Sequence, residues 1–225
     1  MDATTEVEVG LDARGRSVVR RMHCEAPLLV RVAGTDSSCL LLVLVNGAAG
    51  PLGGDRLRFR LRLAAGTDVD VRSVAASMVQ PGPRGAPSSY DVDLEVGDGA
   101  RLRWSPEPTV SVCGSDHRTT VRLSAPSTAD VRVREVVALG RHDEIGGRLA
   151  LHQRVVVDGL PVLDHEIVFG GGALAGPGAQ GPGRRFASEV IVGGALPAAG
   201  TRVDAGCASG VVHLSPVCAL SSTVS

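Results

Sequence analysis

Besides its carboxylates, the side chains of this 225-residue chain that could bind a metal or move a proton are six histidines and five cysteines. Cys207, His213 and Cys218 would offer a soft thiolate and imidazole site if a hairpin joined them, but their spacing matches no standard site. A zinc hydrolase motif would need a second histidine after His165-Glu166, and this stretch alternates as a strand does. A surface or core-edge role is the favoured interpretation for such an isolated histidine.

Asp55 is the carboxylate with the most unusual neighbours. It follows Gly53 and Gly54 and directly precedes the most regular strand of the chain. Glycine adopts positive φ readily and lets another segment come close, so Gly53 and Gly54 predict a structural turn. Asp55 then has two interpretations: an aspartate that bonds the backbone of this turn, or a functional carboxylate.

Several enzyme classes are excluded because all 23 basic residues are arginine. A P-loop, a Schiff base and an S-x-x-K site each require the amine of a lysine. The G-x-G-x-x-G match at residues 176–181 is followed by Pro-Gly rather than by a helix, and residues 206–210 lack the serine of a G-x-S-x-G elbow. With 24 acidic residues the net charge is -1, so we expect no nucleic-acid surface.

The cysteines and the apolar runs indicate where the protein acts. The cysteine number is odd and no C-x-x-C pair occurs, which favours a reducing compartment. The longest apolar run, residues 39–45, is far short of the roughly 20 residues that cross a bilayer. The acidic start of the chain is not typical of a signal peptide. We therefore expect a cytoplasmic protein without membrane association.

Strands are predicted along most of the chain by period-two alternation. Residues 56–63 place Leu57, Phe59, Leu61 and Leu63 on one face and four arginines on the other. We expect this arginine face to meet solvent or an acidic partner. Only 2% of the residues are aromatic, so valine and leucine must fill the core. Similar pairs recur to residue 151, separated by glycine and proline turns, and no long amphipathic helix is found.

A loose internal repeat suggests how the strands are arranged. Small-residue turns at Gly66, Gly99 and Pro126 each join two alternating strands, and they recur roughly every 30 residues. This favours an all-β fold with few helices, built of stacked β-hairpins in a β-helix-like arrangement or as a twisted sandwich. We expect one domain over residues 1–225, with a loop at residues 81–89 and a flexible Gly/Pro-rich loop at residues 170–183.

Three segments together resemble one protein family. They are Gly50-Pro-Leu-Gly-Gly-Asp-Arg-Leu57, Leu102-Arg-Trp-Ser-Pro-Glu-Pro-Thr-Val110 and Arg134-Glu-Val-Val-Ala-Leu-Gly-Arg141. In order and spacing they are similar to the signature segments of the urease accessory protein UreD, also called UreH. An acidic residue in a later strand of that family corresponds to Glu166. The resemblance covers residues 39–170.

The chain also departs from the family pattern. Residues 73–80 lack the Thr-rich segment with a lysine and an aromatic, Arg103 stands where an acidic residue is common, and Arg134 replaces an aromatic. The longer C-terminal part of many members is missing. The chain is thus identified as a short, diverged member.

The resemblance implies a β-rich, helical stack of strands and a non-catalytic urease maturation factor. Proteins of this family bind apo-urease and act with UreF, and through UreF with the GTPase UreG, to bring nickel to the urease active site. It implies no tightly bound cofactor, only transient Ni²⁺. It makes Asp55, Glu135 and Glu166 the candidates for a nickel path or a partner contact. His142, Asp143 and Glu144 form a further polar cluster in the sequence.

Two alternatives remain open from the residues alone. The first is a β-rich protein-binding module unrelated to metal delivery, in which the arginine strand face is the interface and Asp55 is a turn residue. The second is a small metal-dependent hydrolase that uses His165 and Glu166, or Cys207, His213 and Cys218.

Overall fold

The fold is all-β, as the alternation predicts. The computed structural model describes residues 1–34, 39–170, 184–204 and 207–225. The strands described are β1 (Asp2–Leu11), β2 (Ser17–His23), β3 (Leu28–Val32), β4 (Leu40–Asn46), β5 (Arg56–Leu63), β6 (Asp68–Ser73), β7 (Ser77–Val79), β8 (Ser88–Val96), β9 (Arg101–Ser105), β10 (Thr109–Ser111), β11 (Asp116–Ala125), β12 (Asp130–Leu139), β13 (Arg148–Val157), β14 (Leu160–Phe169), β15 (Arg185–Val192), β16 (Gly200–Asp204), β17 (Cys207–Ser215) and β18 (Cys218–Val224).

Helix is nearly absent from the described part of the chain. A 3-10 turn at Pro83–Gly85, within the predicted loop at residues 81–89, is the one helical element there. No helix among the described residues has the length and apolarity needed to span a lipid bilayer. The flexible loop predicted at residues 170–183 falls outside the described residues except for Gly170.

Two sheets face each other. Sheet A has seven strands in the order β14-β13-β11-β8-β5-β1-β2. Sheet B has the order β16-β17-β18-β15-β12-β9-β6-β4-β3, and the short strands β7 and β10 pair beside it. From β5 to β13 the chain crosses alternately from one sheet to the other, so it winds as a coil.

The coil explains the internal repeat of the sequence. Leu57, Tyr90, Thr119 and Leu151 lie side by side on four parallel strands of sheet A, each one coil beyond the last. The predicted β-helix-like stacking is therefore the form that the fold takes. The turns at Gly66, Gly99 and Pro126 differ from the expected hairpin turns, because each carries the chain from sheet A to sheet B. Alternation has the same period in parallel and antiparallel strands, so it cannot distinguish the two.

Backbone hydrogen bonds tie the corners of successive coils together. Gly97 N–H donates to Leu63 O at 2.9 Å, and Gly66 N–H donates to Asp98 O at 2.9 Å. A Cβ on Gly97 would lie 2.7 Å from the backbone nitrogen of Ala65, so this corner has no room for a side chain. The coils are thus held in register at their corners as well as in the sheets.

The core between the sheets consists of two apolar clusters. The larger is filled mainly by valine and leucine around Phe59 and Trp104, whose ring centroids are 5.3 Å apart. The smaller cluster contains Val137, Leu149, Leu151, Phe169 and Phe186. Polar side chains lie between the two clusters, and they form the candidate site described below.

The outer face of sheet A carries columns of alternating charge. Arg60 on β5 reaches Glu6 on β1 at 2.7 Å and Asp93 on β8 at 3.7 Å. Arg122 on β11 contacts Asp93 from the other side at 3.0 Å. Each strand here is parallel to its neighbours, so Glu6, Arg60, Asp93 and Arg122 lie side by side in one row of alternating charge. Of the arginine face that the sequence places on β5, Arg60 and Arg62 are therefore paired with acids of the neighbouring strands.

We expect that Asp93→Arg lowers the free energy of unfolding by about 1 kcal/mol, because it puts arginines in register on three adjacent strands. Urea denaturation measures this loss. Salt at roughly 0.5 M should recover part of it, since exposed charges are screened.

The matched control is Asp204→Arg. Asp204 is exposed on β16 and makes no ion pair in the described part of the chain. An equal loss in both variants, or no salt dependence of the Asp93→Arg loss, would contradict the cross-strand pairing.

Candidate functional site

Glu135 is the one predicted site carboxylate that lies inside the sandwich. Along β12, the side chains of Val131, Val133, Glu135 and Val137 point alternately inward, and all four are buried. Glu135 thus occupies an apolar position of the strand and is only 6% exposed. A buried carboxylate requires a hydrogen-bond partner or must give up its charge.

That partner is Trp104 on the neighbouring strand β9. The indole Nε1–H donates to Glu135 Oε1 at 2.7 Å. Burial raises the pKa of Glu135 to about 7, and the bond from Trp104 opposes the rise. Burial also raises the pKa of Tyr90, and the charge of Glu135 adds to that rise. Glu135 is therefore a carboxyl group that changes its charge near neutral pH.

A second set of polar side chains continues from Glu135 across the interior. Ser188 on β15 is the cross-strand neighbour of Glu135, and its Oγ–H donates to Gln153 Oε1 at 2.7 Å. His165 Nε2 lies 3.1 Å from the same oxygen, where it acts as a donor. Burial lowers the pKa of His165, which favours the neutral ring. Gln153 Nε2 is buried without a hydrogen-bond partner.

Ser88 and His117 form a third buried polar contact. Ser88 Oγ and His117 Nδ1 are 2.8 Å apart, and His117 is 1% exposed. Burial lowers the pKa of His117 to about 4, so the imidazole is uncharged at neutral pH. An uncharged imidazole retains a lone pair for a metal ion or a donor.

A cavity of about 270 Å³ opens beside these groups, between the two sheets. Glu135, Trp104, Tyr90 and His117 line it together with mostly apolar side chains. The polar groups between the two core clusters thus reach from this cavity to half-buried His165 on β14. This band of side chains is the arrangement best suited to hold or pass a small polar ligand.

Asp55 lies at the start of β5 and is held by its turn. Leu52 N–H donates to Asp55 Oδ2 at 2.9 Å, and the amino group of Met1 donates to Oδ1 at 2.9 Å. Gly54 has φ of 94°, and a Cβ on Gly53 would lie 2.3 Å from Ala86 O. The two glycines therefore permit a turn that packs directly against another loop.

Glu166 lies on the opposite side of sheet A from the cavity. Its carboxylate forms an ion pair with Arg118 at 2.8 Å on the outer face. Its neighbour His165 points inward to Gln153. The structure does not bring Asp55, Glu135 and Glu166 into one cluster, because they lie in a turn, in the interior and on an outer face. The same placement separates the imidazole of His165 from the carboxylate of Glu166.

In the predicted cluster at residues 142–144, His142 Nε2 lies 3.1 Å from Asp143 Oδ2, but Glu144 turns to Arg141 instead. His142 and Asp143 are almost fully exposed, whereas Glu144 pairs with Arg141 at 2.8 Å, and the bonds from Arg141 lower its pKa to about 2. His213 Nε2 is 2.8 Å from Pro197 O, and Cys218 is a buried thiol whose pKa burial raises to about 11. In the described parts of the chain, no three of the His, Cys, Asp and Glu side chains group as a metal site.

Sequence reasoning did not single out Gln153, Ser188, Ser88 and His117. Each stands at an inward position where the alternation calls for an apolar residue, such as Gln153 between Leu151 and Val155. A polar residue at the buried phase of an alternating strand is the signal that could have identified them. The sequence places Trp104 in an alternating strand and in a resemblance segment, but it does not indicate the bond to Glu135.

Comparison with known proteins gives a consistent result. The model of one family, described as UreD urease accessory protein, matches residues 3–221. Urease accessory protein UreD 3 of Streptomyces griseus is 38% identical over 177 residues, which are 77% of this chain and 69% of that protein. Urease accessory protein UreD of Frankia alni is 38% identical, and the match covers 94% of this chain and 83% of that protein. For UreD of a Parafrankia strain, also 38% identical, the match covers 54% of the relative.

We expect Glu135→Gln to raise the free energy of unfolding relative to the parent protein as the pH rises. The gain at pH 8 should exceed that at pH 4.5 by on the order of 2–3 kcal/mol. Between pH 4.5 and 7 the unfolded glutamate has lost its proton while the folded one keeps it, so rising pH removes stability from the parent protein. Glutamine can still accept from Trp104 and carries no charge to bury. The measurement is urea denaturation of both proteins across this pH range.

Glu144→Gln is the control, because the pKa of Glu144 is shifted downward. The Glu144→Gln protein should instead become less stable than the parent as the pH rises through about 2–4, because the charged carboxylate stabilises the folded parent there. Equal stability of the parent and Glu135→Gln proteins at every pH would contradict the burial of an ionisable carboxyl at this position.

Proposed function

The chain belongs to the UreD family of urease accessory proteins, and we propose that it helps deliver nickel to apo-urease in a complex with UreF and, through UreF, UreG. The family membership supports a role in urease maturation. The specific partners and the passage of nickel are our proposal. We further propose that the protein works in the cytoplasm as a non-catalytic scaffold, without nucleic acid or a membrane.

The observation that carries this proposal is the family match across residues 3–221. The interior site adds support, since nickel accepts carboxylate and imidazole ligands. Glu135, His117 and His165 supply such groups along one band inside the sandwich. Nickel here is cargo, so the groups must bind it weakly enough to release it. A single carboxylate with scattered imidazoles meets that requirement better than a closed three-ligand site.

Of the three carboxylates implied by the resemblance, Glu135 is our candidate for the nickel path. Its carboxyl lines the cavity and continues to Ser188 and Gln153. Glu166 is our candidate for a partner contact, because its ion pair with Arg118 lies on an outer face that another protein could cover. Asp55 acts through its turn, since its oxygens accept bonds from Leu52 and Met1.

The alternative is a β-rich binding module with no part in metal delivery. The paired arginines on β5 would then be the contact surface, and Glu135 would be a polar residue left in the core. This alternative predicts that Glu135 can be neutralised without effect on urease.

We expect Glu135→Gln to lower urease activation at least tenfold at limiting nickel, because the path loses its charged ligand while Trp104 keeps its hydrogen bond. The assay is urease activity in cells that co-express the cognate urease subunits and accessory proteins, with urease protein and bound nickel measured in parallel.

Glu144→Gln is the matched control, since it removes a carboxylate that pairs with Arg141 and does not line the cavity. The chain must also co-purify with apo-urease in both variants, which separates loss of passage from loss of docking. Full activation by Glu135→Gln would exclude the path through Glu135. Full activation in cells that lack this chain altogether would exclude the maturation role.

A further inference from the structure

The cavity between the sheets has mostly apolar walls. Its sides are formed largely by apolar groups of β3, β4 and β5, including Leu28, Val30, Leu44 and Leu57. The residues at its mouth, Val74 to Ala76, are exposed, and Val74 is 62% exposed. An exposed apolar rim around a concave site is typical of a surface that binds a partner.

The charged side chains that line the cavity are all acidic. Among the described residues that line it, none is arginine, although the chain has 23 arginines. The acids that line it are Glu135, which is buried, and Glu107, which is exposed. His117 contributes an uncharged ring. The cavity therefore favours a cation, and an anion would meet no compensating charge.

Apolar walls around an acidic group fit one class of side chain. Lysine and arginine have a methylene stem that packs on apolar surface and a cationic head that seeks a carboxylate. The chain itself contains no lysine, and its arginines do not line the cavity. A cationic occupant from outside must therefore belong to another molecule.

We propose that the cavity is a docking site for a lysine or arginine side chain of a partner protein, whose stem lies along the apolar walls and whose head pairs with Glu135. The proposal rests on the cavity and not on nickel passage, so either can fail without the other. Among other occupants, an apolar side chain would leave Glu135 without a charge partner, and an acidic segment would be repelled.

Trp104 makes the occupancy of this cavity measurable. It is the single tryptophan of the chain, it lines the cavity and it bonds to Glu135. Its emission therefore reports on a ligand that reaches the carboxyl. Suitable probes are n-hexylammonium, hexan-1-ol and hexanoate, which share one stem and differ in the charge of the head.

At pH 8 we expect hexylammonium to shift the Trp104 emission with an affinity at least tenfold higher than that of hexanoate. Hexan-1-ol should lie between them, because the stem packs without an ion pair. Equal affinities of hexylammonium and hexanoate, or no change of emission with any probe, would overturn the proposal.

The matched variants are Glu135→Gln and Glu107→Gln. In Glu135→Gln the affinity for hexylammonium should fall to within about twofold of that for hexan-1-ol, while hexan-1-ol binding is retained and shows that the cavity is intact. Glu107→Gln should keep the preference for the cation. A preference that survives Glu135→Gln would place the cationic head elsewhere and overturn the proposal.

The partner itself can be found by photo-cross-linking. Benzoylphenylalanine at position 74, at the mouth, should cross-link within the co-expressed urease and accessory protein assembly to a segment that carries a lysine or arginine. The same group at Ile145, which is 85% exposed and does not line the cavity, is the control. Changing the captured basic residue to methionine should then weaken the complex at least tenfold. A captured segment without a basic residue, or equal capture from both positions, would contradict the docking.

Discussion

The register between successive coils is the constraint on which the rest of the structure depends. Parallel strands one coil apart must place inward side chains beside inward side chains, because a slip of one residue would turn each apolar row to the solvent. The corner bonds between Gly97 and Leu63, and between Gly66 and Asp98, fix this register outside the sheets. The two core clusters and the charge columns follow from the same alignment.

The same alignment also collects the polar residues of the interior. A single buried glutamate on a strand is costly, but its neighbours one strand away can meet its hydrogen-bonding needs. Trp104 does so for Glu135 from β9, and Ser188 lies beside it on β15. Burial still disfavours the charged carboxylate, and the raised pKa of Glu135 reflects this. A group whose charge is disfavoured in the free protein gains most when a cation arrives, which suits a site that binds transiently.

The sequence predicts the all-β class and favours a stacked, β-helix-like arrangement, because both the alternation and the repeat of roughly 30 residues are visible in the sequence. It does not distinguish hairpins from a parallel coil, since the alternation of residues 56–63 would be the same in either. Nor does it give the phase of β14, where His165 faces the interior and Glu166 faces outward. Gln153 and Ser188 lie on different sheets, so the contact between them cannot be predicted from the pattern of either strand. The nickel path stays a prediction.

The alternating charges on the outer face of sheet A also bear on how quickly partners find the protein. Arg60 and Arg122 each lie within 4 Å of an acid, so their fields cancel within a few ångströms of the surface. At physiological ionic strength little potential extends beyond the Debye length of about 8 Å. A partner that meets this face would therefore gain little from electrostatic steering, and its association rate should change little with salt. Complex formation there is governed by how long the partners stay together rather than by how fast they meet.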